Sequence, residues 1–258
     1  MLLLNSLKTK IESGETVLGT MLSEISTPNV ARILSAAGFE YLIIDCEHGY
    51  FDYSQTAAVV GICNGIRLPV IVRIPKIDRG CVTKYMDMGA DGLLVPMTGT
   101  AEDIRRVVEY AKYAPLGRRG ISTMRAHTNY NPPPLSQYTR EANARTIVFA
   151  QIETREGVAN SSAIAAVEGV DALLIGPNDL AMDLGAPGNF ATPEMADCIG
   201  TVIASAKAAG KRSGIIASKI PFLQSCGDRG MTLFSCNSEV GMMMLGAKEI
   251  VRQFRQHT

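Results

Sequence analysis

The chain alternates between short, wholly apolar runs and longer stretches in which apolar positions recur every three or four residues. The first pattern is that of strands buried on both faces of a parallel sheet. The second is that of helices laid against such a sheet. Thr16–Leu22 is the first strand, and the second is the apolar run from Tyr41 to Ile44, which leads directly into Asp45, Glu47 and His48. Pro69–Ile74 follows and delivers Arg73. Gly92–Met97 is the fourth, Thr146–Ile152 ends against Glu153, and Ala172–Ile175 opens into Gly176-Pro177-Asn178-Asp179. Ser213–Ala217 and Met231–Phe234 complete the set. Between them the spacing predicts helices over Pro28–Ala37, with Thr27 as N-cap and Gly38 past its end, and from about Tyr53 to Cys63. Further helices are predicted around Met86 and Met88, stopped by Gly89, over Ala101–Tyr113 with acids in its first turn, over Glu156–Val167, and over Pro193–Ala209 before Gly210. A last amphipathic helix runs from about Met243 to Gln253.

Strand starts near 16, 41, 69, 92, 146, 172, 213 and 231 make eight strands alternating with helices, the pattern of a closed (β/α)8 TIM barrel. An open doubly wound sheet is the competing architecture. It would want a glycine-rich fingerprint after the first strand, where Gly19 stands alone. No linker composition divides the chain, so residues 1–258 are expected to form one domain. Ala114–Arg145 breaks the rhythm as an inserted loop with Gly117, Gly120 and the run Pro132-Pro133-Pro134. Inserts of that length are commonly lids or binding loops.

Composition narrows the function by exclusion. The chain has 258 residues, with 25 Lys plus Arg against 25 Asp plus Glu, and so no electrostatic footprint for nucleic acid or an anionic membrane. Its six cysteines form no Cys-x-x-Cys pair and read as reduced thiols of a cytoplasmic protein. The opening Met-Leu-Leu-Leu is cut short by Asn5, too short for a signal-peptide core, and no apolar run reaches membrane-spanning length.

In a barrel the strand exits share one rim, and here that rim collects Asp45, Glu47, His48, Arg73, Glu153 and Asp179. Glu153 and Asp179 offer two hard oxygen ligands for Mg²⁺ or Mn²⁺, whose shell a 2-oxo acid and waters would complete. Such an ion polarises a carbonyl as a Lewis acid. Arg73 suits the negative charge of an enolate, and His48, oriented by Asp45, suits a general base. Each residue also has a structural reading: Asp45, Glu153 and Asp179 all precede helical segments and fit N-caps, and His48 fits a solvated loop histidine. A Schiff-base lysine is the competing route to an enolate equivalent. Its candidates, Lys76 and Lys219, lie in loops and not within strands.

The segments Ile43-Ile44-Asp45-Cys46-Glu47-His48, Val72-Arg73-Ile74-Pro75, Gly89-Ala90-Asp91-Gly92-Leu93-Leu94-Val95-Pro96-Met97, Gln151-Ile152-Glu153-Thr154-Arg155-Glu156-Gly157 and Ile175-Gly176-Pro177-Asn178-Asp179-Leu180 occur in this order. With them the sequence resembles the HpcH/HpaI aldolase family of the phosphoenolpyruvate/pyruvate barrel superfamily. The resemblance implies reversible aldol chemistry on pyruvate-type substrates, a last helix exchanged between subunits, and hexamers built from dimers. Carried over, it makes Glu153 and Asp179 the metal ligands, Asp45 and His48 the base dyad and Arg73 the enolate-stabilising group. It also makes Gln151 a substrate contact, and lets Asp87 reach the site of an adjacent subunit. One departure stands out. Where many family aldolases carry Arg-x-x-x-Tyr, this chain reads Arg125-Ala126-His127-Thr128-Asn129-Tyr130, one residue longer. A siderophore-associated branch that also lacks the motif resembles metal-independent citrate synthases, which condense acetyl-CoA with oxaloacetate. On that alternative, Arg118, Arg119, Arg125 and His127 are candidates to bind a second carboxylate, and no metal is needed. A barrel that binds an oxo acid without catalysis is the third alternative. A binding module would have no need of a base.

Overall fold

The computed structural model describes residues 6–256; the reading of Met1–Asn5 falls outside them. Its strands are β1 (Val17–Leu22), β2 (Tyr41–Asp45), β3 (Val70–Arg73), β4 (Gly92–Val95), β5 (Ile147–Ile152), β6 (Ala172–Ile175), β7 (Arg212–Ala217) and β8 (Leu233–Ser238). Each pairs in parallel with the next, and β8 returns to β1, closing the barrel and ruling out the open sheet. Twelve α-helices lie among the described residues, with one 3-10 turn at Ala126–Thr128.

Strand alternation sorts the side chains into two cores. Tyr41, Ile43, Ile71, Leu94, Ile147, Phe149, Ala172, Leu174 and Leu233 point inward and fill the barrel. Leu42, Ile44, Val70, Val72, Val148 and Leu173 point outward and pack under the helices. Tyr41 is the largest inward residue near β1, and it dictates Gly19: a Cβ there would lie 2.4 Å from the tyrosine ring. The Tyr41 hydroxyl donates across the barrel to the Phe234 carbonyl, 3.0 Å away. Continuing the same parity outward along the strands brings Asp45, Arg73, Gln151 and then Glu153 to the C-terminal mouth.

Several elements differ from the sequence reading. A helix absent from it, α1 (Ser6–Ser13), plugs the other end of the barrel with Leu7 and Ile11. Helix α2 (Val30–Ala36) starts later than predicted, with Asn29 and not Thr27 at its N-cap. The predicted Glu156–Val167 helix is broken at Asn160 into α7 (Arg155–Ala159) and α8 (Ser161–Ala165). Short helices α9 (Pro177–Asp183) and α11 (Ile220–Asp228) follow β6 and β7. Strand β8 sits further along than Met231–Phe234 because its second half, Ser235 to Ser238, is small and polar yet still pairs. The remaining helices are α3 (Tyr53–Ile66), α4 (Arg79–Asp87), α5 (Ala101–Ala111), α6 (Leu135–Arg145), α10 (Pro193–Ala208) and α12 (Glu239–Arg255). No helix among the described residues is long and apolar enough to cross a membrane.

Two ends of the molecule bear on function. The insert is not structureless. Its last third is α6, pinned to α5 by the buried Lys112 ammonium, which donates to the Asn143 and Thr146 carbonyls at 3.0 and 2.8 Å. At the chain's other end, α12 is tied down only at its first turn. The Glu239 carboxylate accepts the backbone N–H groups of Ser23, Glu24 and Ile25 at 2.6–3.0 Å. Beyond that turn, Met243, Met244, Leu245, Ile250, Val251 and Phe254 are exposed.

Candidate active site at the barrel mouth

Asp45 and Arg73 are the last residues of neighbouring strands and are register partners. Both are buried, at 2 % and 7 % exposure, and they form a two-pronged ion pair. Arg73 Nε donates to Asp45 Oδ1 at 2.9 Å, and Nη2 donates to Oδ2 at 2.5 Å. Asp45 Oδ1 also accepts the backbone N–H groups of Glu47 and His48 at 3.0 and 3.1 Å. Burial pushes the Asp45 carboxyl up, but the arginine bonds and charge outweigh it and hold the group below its ordinary value. Burial likewise disfavours the Arg73 charge, and Asp45, with Glu47 and Glu153 nearby, more than restores it.

This geometry corrects one sequence expectation. Asp45 holds His48 through its backbone N–H, not through its ring. The carboxylate within 4 Å of the imidazole is that of Glu47, whose Oε2 lies 3.9 Å from His48 Nε2 and 3.2 Å from Arg73 Nη1. The imidazole itself stands in the open mouth, with its side chain 69 % exposed.

Glu153 follows β5 and is buried at 2 % exposure. Its Oε2 accepts the backbone N–H of Met97 at 2.7 Å, and its Oε1 accepts the Gln151 side-chain N–H at 2.6 Å. It caps no helix, because Thr154 fills that position in α7. Gly176 makes room for it: a Cβ there would lie 2.2 Å from Glu153 Oε1. Burial raises the Glu153 carboxyl to about 7; the Met97 N–H opposes this, and the charges of Asp179 and Glu47 add to it. Asp179 is exposed in the first turn of α9, where Gly176 holds the N-cap position. The other end of the Gln151 amide, Oε1, is buried and has no hydrogen-bond partner.

These residues fit a divalent cation. Asp179 raises the proton affinity of Glu47, both raise that of Glu153, and the arginine among them is already bound to Asp45. Among the described residues no group of three or more His, Cys, Asp or Glu is arranged as a complete metal cage. Two carboxylates with the remainder left to substrate and water is the arrangement Mg²⁺ favours.

The other predicted substrate contacts lie elsewhere in the chain. Helix α4 runs back from the mouth, so Asp87 at its end is remote from Arg73. Asp87 accepts from Arg119 Nη2 at 2.6 Å and lies 3.7 Å from His127 Nε2. His127 is buried against the turn after α4: Nε2 faces the Ser122 carbonyl at 3.0 Å and Nδ1 the Tyr138 hydroxyl. Burial, reinforced by Arg119, depresses its basicity. Arg125 is exposed beside a groove of about 800 Å³ between α3 and α4. Within one chain, then, Asp87, Arg125 and His127 bond to residues of the insert and not to Gln151. The residue the sequence reading left without a role is Glu47. Its signal was its place, two residues past the end of β2 and next to His48.

A parallel barrel with an arginine–carboxylate pair, three further carboxylates and an open imidazole at its C-terminal rim is the scaffold of an enzyme. A family model described as HpcH/HpaI aldolase/citrate lyase matches residues 20–244, and the chain belongs to that family. It is 36 % identical over 214 residues to a 4-hydroxy-2-oxovalerate aldolase of Rhodococcus jostii, covering 83 % of this chain and 81 % of that one. The crystal structure of an HpcH/HpaI aldolase from Desulfitobacterium hafniense superposes with a TM-score of 0.93 at 32 % identity, covering 96 % of each chain. The citrate synthase SbnG gives a TM-score of 0.88 at 25 % identity over 98 % of both chains.

Proposed function

We propose that the protein is a metal-assisted carbon–carbon lyase of the aldolase type. It would cleave, and in reverse form, the bond one carbon away from the keto group of a pyruvate- or oxaloacetate-type 2-oxo acid. The observation that carries this reading is the inward set Asp45–Arg73 beside Gln151–Glu153. It places a fixed positive charge next to a carboxylate pocket in a buried mouth. In the cleavage direction a base removes the proton of the substrate's 4-hydroxyl, the C3–C4 bond breaks, and an aldehyde leaves. The electron pair becomes the enolate of the 2-oxo acid, and a proton returned to C3 gives the product. His48 is the exposed imidazole at the mouth and takes the role of base. Arg73, held flat by Asp45, faces the developing oxyanion with no reorganisation needed at the moment of reaction. Gln151 presents an unpaired acceptor to a substrate hydroxyl or to a water. A Mg²⁺ or Mn²⁺ ion held by Glu153 and Asp179 would supply Lewis-acid polarisation of the keto group.

The reading is tested by incubating the protein with pyruvate in D₂O, with and without Mn²⁺, and following loss of the methyl protons by NMR. Exchange is expected; its absence at every metal concentration defeats the proposal and leaves the citrate synthase and the non-catalytic barrel. His48→Ala is expected to slow turnover by roughly two to four orders of magnitude while the circular dichroism spectrum stays native. A near-normal rate would remove His48 from the chemistry. The alternative of a citrate synthase, favoured by the likeness to SbnG, predicts thiol release from acetyl-CoA with oxaloacetate that survives chelation.

The oligomer belongs to the same proposal. The apolar side chains of α12 beyond Met242 are exposed, and an exposed patch of that kind marks an interface. It is expected to dock on a neighbouring copy, with hexamers built from dimers as the assembly. Asp87, Arg125 and His127 could then meet substrate only at a neighbour's mouth. Removing residues 243–258 should lower the mass measured by light scattering, and an unchanged oligomer refutes the docking.

A further inference from the structure

We infer that Glu47, not Asp45, is the carboxylate that positions the His48 imidazole and sets its basicity. The inference rests on the functional reading above and adds to it a residue with no role so far. Asp45 has nothing left to give: its two oxygens already take two bonds from Arg73 and two backbone N–H groups, about the full capacity of a carboxylate. Removing Asp45 would therefore release Arg73 and the turn, and act on His48 only through the backbone. Glu47 differs on every count. Its recorded polar contacts are the ion pair of Oε2 with Arg73 Nη1 at 3.2 Å and the approach to His48 Nε2 at 3.9 Å. Oε2 thus lies between guanidinium and imidazole. The 3.9 Å gap exceeds a hydrogen bond, and the exposed imidazole is the partner with room to move toward it.

The arrangement suits a base that must become a cation. When His48 accepts the substrate proton, the imidazolium needs a fixed anion, and Glu47 supplies it. Arg73 holds Glu47 in place and opposes the burial and the neighbouring acids that raise its carboxyl. The charged groups facing the pair are Asp45 and Arg73 from the ends of β2 and β3, and Asp179 and Glu153 from across the mouth. Three of those four are negative, and among the described residues none of them comes within 4 Å of the ring as Glu47 does. Arg73 also couples the two halves of the chemistry. The guanidinium that faces the oxyanion is the one that orients the anion behind the base.

The test is a titration of the His48 ring in full-length, metal-free protein. Its Hε1 resonance is assigned by its loss in His48→Ala, and the titration is repeated in Glu47→Gln. Loss of the anion beside the ring is expected to move this titration toward lower pH. In the Mn²⁺-loaded enzyme the acidic limb of the methyl-exchange rate should move by the same amount toward lower pH. The maximal exchange rate should fall about tenfold, with the KM for pyruvate within about threefold of wild type. A merely structural role would change rate or KM without moving the titration. An unchanged His48 titration in Glu47→Gln overturns the inference. So does a Glu47→Gln protein whose main defect is a tenfold weaker hold on Mn²⁺, which would make Glu47 part of the metal site. If wild type exchanges no methyl protons, the functional reading fails, while the ring titration still decides the pairing.

Discussion

Arg73→Ala is expected to lower kcat/KM for aldol cleavage by at least about three orders of magnitude, more than one lost donor in an ordinary oxyanion site. Two losses combine. The mouth loses the cation that reaches Asp45, Glu47 and Glu153 together, so an enolate would form among uncompensated acids. The pair also loses its tether: Asp45 stays buried with two backbone N–H groups and no counter-charge. Breaking a buried ion pair from one side costs on the order of 3–5 kcal/mol, so urea unfolding should shift to a clearly lower midpoint. Arg73→Lys should recover much of the stability and little of the rate. One ammonium can answer Asp45, but it cannot hold two Asp45 oxygens and face Glu47 and an oxyanion at once. A lysine variant within about tenfold of wild-type kcat/KM would show that only charge matters and would defeat the geometric account.

Most of the barrel was legible because its signal is local. A strand buried on both faces must be apolar at every position, and Tyr41–Ile44, Val70–Val72 and Leu93–Val95 each show it. The same alternation that fills the barrel with Tyr41 and Ile43 aims Asp45 at the mouth, so the site residues on β2, β3 and β5 could be read as a group. What escaped was written in distant partners. Which carboxylate meets Arg73 depends on the register Asp45↔Arg73, a property of two strands separated by a helix. A sequence shows Asp45 and Glu47 as equivalent neighbours of His48. The helices α1 and α6 bury only two residues each, Leu7 with Ile11 and Tyr138 with Ala142, too few to give a periodic signal. Ser235–Ser238 pairs as strand because β1 and β7 demand it on either side, not because its residues favour it. Arg125 and His127 looked like site residues by composition, yet α4 carries the residues they pack against away from the mouth.

Removing the divalent ion is the second change expected to be nearly complete, and Glu153 makes it depend on pH in a definite direction. Aldol cleavage should fall by more than about a hundredfold with a chelator and return with Mn²⁺ or Mg²⁺, since the keto group then regains its Lewis acid. Glu153 in the metal-free protein is raised to about 7, above the ordinary glutamate value. A carboxyl raised in the folded state binds its proton more tightly there than in the unfolded chain. The stability it contributes is therefore fully present below the ordinary glutamate range and is lost as pH rises through about 7. Metal-free wild type should accordingly melt at a lower temperature at pH 8 than at pH 6, with Glu153→Gln removing part of that slope and raising the melting point at pH 8. A cation must displace the same proton. Mn²⁺ affinity measured by calorimetry should then drop close to tenfold for each pH unit below about 7, with proton uptake by buffer to match. Glu153→Gln should lose both the affinity and its pH dependence. If that variant binds Mn²⁺ like wild type, Glu153 is no ligand; if activity ignores the chelator and requires acetyl-CoA, the carboxylates Glu153 and Asp179 serve a citrate-forming site instead.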